Sequence, residues 1–110
     1  MGIEDWREEI DAVDQELLRL LNHRASLAAE IGRQKARAGL PLCDPVRETE
    51  VLRRVHGANA GPLDGRALAK IFQRIIRESR RVQERAAGDA EQAEEDAPVL
   101  TTLQRGRGAR

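Results

Sequence analysis

A chain of 110 residues with 19 basic and 19 acidic side chains makes one small domain, and its zero net charge argues against a nucleic-acid partner. Aromatic residues are confined to Trp6 and Phe72 and charge is abundant, a balance that suits an all-α protein better than a β-sandwich or barrel. The single Cys43 excludes an intrachain disulfide and fits a reducing cytoplasm, no apolar run is long enough to span a membrane, and the start, acidic from Glu4, lacks the apolar core of a signal peptide.

Ile3, Trp6, Ile10, Val13, Leu17, Leu20, Leu27 and Ile31 follow alternating steps of three and four. That is the heptad seam of a long helix packed along another helix. The spacing predicts a first helix from about Glu4 to Ala38, free of proline, with Gly32 as its only interior glycine. Gly39 and Pro41 end it, since glycine suits the C-cap and proline cannot continue a helix. At about 1.5 Å per residue this helix spans roughly 50 Å, more than the diameter of a globule formed by this chain alone. Its apolar face needs a partner, so an oligomer is expected.

Arg24 occupies a seam position where a leucine belongs. A cation there is costly unless something anionic meets it. The alternative is a snorkelling arginine or an ion pair along the helix. Lys35, eleven residues on, falls about 20° away on the helix wheel and roughly 16 Å along the axis. Both side chains could lean towards one small anion, although a cation near a helix C-terminus is favourable in any event. Arg7 lies about 25 Å from Arg24 and about 100° round the wheel. It cannot share a small ligand with Arg24 on one straight helix, but an antiparallel partner chain could bring its own Arg7 alongside. Otherwise Arg7 is an ordinary solvated charge.

Asp44-Pro45 reads as an N-cap followed by proline at the first helical position, opening a second helix with Val46, Val51, Leu52 and Val55 on its apolar side. Arg47 in its first turn opposes the helix dipole and Glu48 compensates, a pattern that a surface ion pair also explains. This helix fades at Gly57-Ala-Asn-Ala-Gly61-Pro62, a loop by composition. Asp64 can cap a third helix, whose stripe is Leu68, Ile71, Phe72, Ile75, Ile76 and Val82. Ser79 and Gln83 lie within about 20° of Phe72 and extend that stripe with polar groups. They mark either a helix end leaving the core or hydrogen-bonding groups aimed at a ligand. From Ala86 the chain turns to Ala, Gly, Glu and Asp and then Arg-Gly repeats, so residues 86–110 are expected to form a mostly disordered tail behind a domain of residues 1–85.

His23 and His56 are too few for a persuasive metal site, Cys43 has no signature of an activated nucleophile, and no glycine-rich phosphate loop occurs. Cations, neutral hydrogen-bonding groups and one carboxylate suit the binding and polarising of a small polyanion without covalent chemistry.

Five segments, in order, carry a resemblance. They are Trp6-Arg-Glu-Glu-Ile-Asp-Ala-Val-Asp14, Leu17-Leu-Arg-Leu-Leu-Asn-His-Arg24, Ile31-Gly-Arg-Gln-Lys35, Asp44-Pro-Val-Arg-Glu48, and Phe72-Gln-Arg-Ile-Ile-Arg-Glu-Ser79 through Gln83. The chain resembles the all-helical class of chorismate mutases over about Trp6 to Gln83. The family's ligand-binding set falls on Arg7, Arg24, Lys35, Asp44, Arg47, Glu48, Ser79 and Gln83, with the expected residue type at each. The resemblance implies three helices per chain and an intertwined antiparallel homodimer with two sites, each taking Arg7 from the partner subunit. It implies that Arg24 and that Arg7 hold the two substrate carboxylates, with Arg47, Ser79 and the Asp44 region fixing the same end. Glu48 then accepts the ring hydroxyl, and Lys35 and Gln83 donate to the ether oxygen. No metal or cofactor is implied. Isochorismate pyruvate-lyase, on the same fold with a similar pocket, is the alternative, and a non-catalytic regulatory helical dimer is another. The tail could dock to a pathway enzyme.

Overall fold

The computed structural model describes residues 1–106, with side chains to residue 96. They form three helices: α1 (Ile3–Ala38), α2 (Pro45–Ala58) and α3 (Gly65–Gly106). The described residues contain no strand, as the all-α reading expects. No helix is long and apolar enough to cross a membrane among the residues described.

The helix ends follow from local chemistry. Gly39 closes α1 in the left-handed region, at φ 68°, and the amide of Leu40 donates to the Lys35 carbonyl at 2.9 Å. A side chain at position 39 would be strained in that conformation. The Asp44 carboxylate accepts from the Arg47 amide at 3.0 Å and caps α2, with Pro45 at the first helical position. Asp64 does the same for α3, accepting from the Ala67 amide at 2.8 Å.

Helix α3 is the shared neighbour, packing against both α1 and α2. It runs alongside α1 in the same direction: Arg24 meets Ser79, and Lys35 meets Gln83. It runs opposite to α2, with Glu48 beside Arg80 and His56 beside Gly65. Helix α1 approaches α3 tightly at Gly32. A Cβ there would stand 2.5 Å from the Gln83 carbonyl oxygen and 2.8 Å from its Cα. Only glycine fits such a contact without moving a backbone.

The heptad seam is not what packs inside the chain. Trp6, Ile10, Val13 and Leu17 are each more than half exposed, and among the described residues the buried apolar ones are Ala28, Ile76, Ala86 and Ala87. These four described residues, three of them alanine, are a thin core for an elongated molecule 70 Å in its longest dimension. A contiguous apolar stripe is left open along α1.

The tail departs from expectation. Composition predicts disorder from Ala86, yet α3 continues as helix to Gly106, and Ala86 and Ala87 are buried. They lie three and four residues beyond Gln83, on the α3 face that meets Gly32. Alanine, glutamate and glutamine between Glu84 and Asp96 are strong helix formers, so propensity and docking outweigh the low hydrophobicity. Residues 107–110 of the expected tail lie outside the described residues.

Candidate active site

A cavity of about 270 Å³ opens where the second half of α1, the start of α2 and the middle of α3 converge. Seven of the eight residues singled out from the sequence line it: Arg24, Lys35, Asp44, Arg47, Glu48, Ser79 and Gln83. Leu27, Ile31, Val51 and Ile76 supply its apolar walls.

At one end Arg24 donates to the Ser79 hydroxyl, and no carboxylate pairs with it among the described residues. Burial pulls the Arg24 guanidinium below its ordinary pKa, and the nearby positive charge of Arg47 pulls it in the same direction. Two cations set side by side with a hydroxyl between helices form an anion site in waiting. Arg47 reaches Glu50 at 3.1 Å, an ion pair exposed enough to exchange readily for a better anion. The Asp44 carboxylate is occupied as the α2 cap, so it orients the backbone of Arg47.

At the other end Lys35 Nζ donates to the Leu42 carbonyl at 3.1 Å and to Gln83 Oε1 at 3.3 Å. An ammonium has three protons, so one donor is left for the cavity. With its oxygen held by Lys35, the Gln83 amide NH₂ remains as a second donor. Both donors are only half-exposed, which strengthens their interaction with a developing negative charge.

Between the two ends stands Glu48 on α2, held by Arg80 of α3 through Nη2 at 2.7 Å and 2.6 Å from its two oxygens. Sequence reasoning passes over Arg80, and it notes Gly32 without giving it a role. Arg80 is one of several arginines on α3, and only its distance to Glu48 sets it apart. Gly32, as the only interior glycine of α1, did carry a signal.

Arg7 is the one singled-out residue that the structure leaves outside the cavity. It is exposed on the first half of α1 and pairs with Glu4 at 2.7 Å. The position agrees with the wheel, which separates Arg7 from Arg24 on a single straight helix.

Comparison with known proteins bears on this arrangement. A family model described as chorismate mutase type II matches residues 6–84. The bifunctional chorismate mutase/prephenate dehydratase of Aquifex aeolicus is 41% identical over 78 residues, 67% of this chain and 22% of that enzyme, so the chain spans about a fifth of that relative's length. A chorismate mutase structure from Thermus thermophilus superposes with a TM-score of 0.74 at 41% identity, covering 76% of this chain and 94% of that one. The chorismate mutase of Helicobacter pylori, solved in complex with prephenate, gives 0.70 at 36% identity, covering 76% of this chain and 91% of that one. The convergent cavity, its polar residues and these matches coincide over one stretch of sequence, and the chain belongs to the chorismate mutase type II family.

Proposed function

We propose that this chain is an isomerase that rearranges chorismate to prephenate, in the biosynthesis of phenylalanine and tyrosine. The observation that carries the reading is the polarity of the cavity. Two cations with no buried anion lie at one end, and a lysine–glutamine donor pair lies at the other.

The reaction is a pericyclic rearrangement of one molecule and needs no nucleophile, metal or cofactor. Arg24, Arg47 and Ser79 would hold a substrate carboxylate, for which guanidinium forks are well shaped. Glu48 would accept the ring hydroxyl. Apolar walls from Leu27, Ile31 and Val51 would press the enolpyruvyl arm over the ring in its reactive conformer. Lys35 and the Gln83 amide would then donate to the ether oxygen as its carbon–oxygen bond breaks and charge accumulates there.

With Arg24 and Arg47 given to one carboxylate and Arg80 to Glu48, the second carboxylate is left for a guanidinium from another chain. An intertwined antiparallel homodimer would supply Arg7 of the partner subunit, and the open apolar stripe along α1 supports that assembly. We place the catalytic domain at residues 1–85, with α3 extending beyond it, and the protein in the cytoplasm. The segment beyond residue 85 is assigned to association with another enzyme of the pathway.

Purified protein should be incubated in turn with chorismate and isochorismate. Prephenate from chorismate is the expected product. Pyruvate released from isochorismate without prephenate would instead identify a lyase, and binding without turnover would identify a regulatory module.

A further inference from the structure

Eight ion pairs are formed by the described side chains, and seven join residues three or four apart on one helix. Such pairs decorate surfaces and contribute little. The eighth, Arg80 to Glu48, joins α3 to α2, and its side chains are only 38% and 28% exposed. Both residues line the active-site cavity. Both also line an open groove of about 500 Å³ between α2 and α3, bounded by Pro45, Thr49, Leu52, Gln73 and Arg77. The pair is therefore a wall shared by the two spaces.

Its geometry is specific. One nitrogen, Nη2, straddles both carboxylate oxygens, while Arg80 Nε is buried without a hydrogen-bond partner. A carboxylate offers about four acceptor sites. A single straddling donor leaves acceptor capacity free for a hydroxyl in the cavity. Arg24, Arg47 and Lys35 line the same cavity as the Glu48 carboxylate. Without a cation of its own, Glu48 could turn to one of these and neutralise the anion site.

We propose that Arg80 is a positioning residue: it pins Glu48 in the cavity wall, with its free acceptor sites towards the substrate's ring hydroxyl, and keeps that carboxylate off the cations that bind the substrate carboxylates. The proposal rests on the chorismate mutase reading and on the role given there to Glu48. The pKa of Arg80 is raised, first by the hydrogen bond to Glu48 and then by its charge, as their direct contact requires.

The test compares Arg80→Met, which keeps the apolar stem, with Arg80→Lys, Glu48→Gln and the double variant Arg80→Met/Glu48→Gln, each first shown to keep the melting temperature and oligomeric state of the parent. Arg80→Met should lower kcat/KM for chorismate about 10- to 100-fold, the range for residues that orient a functional ligand. Arg80→Lys should recover most of the loss, because the contact uses one nitrogen and a point charge can replace it. The double variant should be no worse than Glu48→Gln. With a chorismate analogue lacking the ring hydroxyl, the penalty of Arg80→Met should shrink, which a purely structural role would not produce. Near-normal turnover by Arg80→Met beside a crippled Glu48→Gln would overturn the inference, as would losses that multiply in the double variant. Near-normal turnover by Glu48→Gln would overturn the role of Glu48 as well.

Discussion

Ala28 and Gly32, in the second half of α1, are buried where that helix meets α3, whereas Trp6, Ile10, Val13 and Leu17, in the first half, leave more than half of their surface open. The two halves use different chemistry for different neighbours. Small residues let the second half approach α3 closely enough for Lys35 to reach Gln83. Large side chains on the first half project too far for such an approach and suit a knobs-into-holes contact with another helix. One half thus builds a site within the chain. On the proposed reading the other packs on a second chain and carries Arg7 into that chain's site.

Substitutions separate the two halves, and the largest effect belongs to the open one. Leu17→Glu would place a charge in the proposed dimer seam, where burial costs several kcal/mol for each ion. Analytical ultracentrifugation should show monomers, and activity should be lost at dilute concentration although Lys35 and Gln83 are untouched. A stable, active dimer would break the division of labour. Lys35→Ala should do the reverse, leaving the dimer intact while raising the barrier behind kcat by about 3 kcal/mol, the usual cost of a lost charge-stabilising donor. Steady-state kinetics beside sedimentation would check both parts.

Gly32→Ala tests the close contact itself. A methyl group 2.5 Å from the Gln83 carbonyl must push α1 from α3. The expected cost is about 1–3 kcal/mol of stability by denaturant unfolding, with a fall in kcat as the donor pair spreads. An unchanged kcat would show that the donors tolerate the shift. Gln83→Glu should have the mildest effect at low pH. A carboxyl can donate to the ether oxygen only when protonated, and the Lys35 ammonium beside it favours the ionised form. Activity should therefore appear as pH falls and vanish as pH rises, and an unchanged pH–rate profile would argue against contact with the ether oxygen.

The readable parts of the molecule were those governed by one helix at a time. Gly39, Asp44-Pro45 and Asp64 announce helix ends because capping depends on neighbours in sequence. Arg24 and Lys35 could be paired because a helix wheel relates them. The link between Arg80 and Glu48 was not readable, since it depends on how closely α2 and α3 approach each other. The course of α3 beyond Ala86 is not legible in the sequence for a different reason. Alanine and acidic residues serve a solvated helix and a disordered tail equally well, and the burial of Ala86 and Ala87 that decides between them is a tertiary fact.

The 36-residue length of α1 has a genetic consequence if the proposed dimer forms. A lesion at one end of the helix would spoil the site of one subunit, and a lesion at the other end that of its mate. Chains carrying Arg7→Ala and chains carrying Arg24→Ala would each be inactive alone. When they are refolded together, one site of every mixed dimer inherits both lesions and the other inherits neither. Random pairing should then restore about a quarter of all sites, so two defective alleles would complement each other.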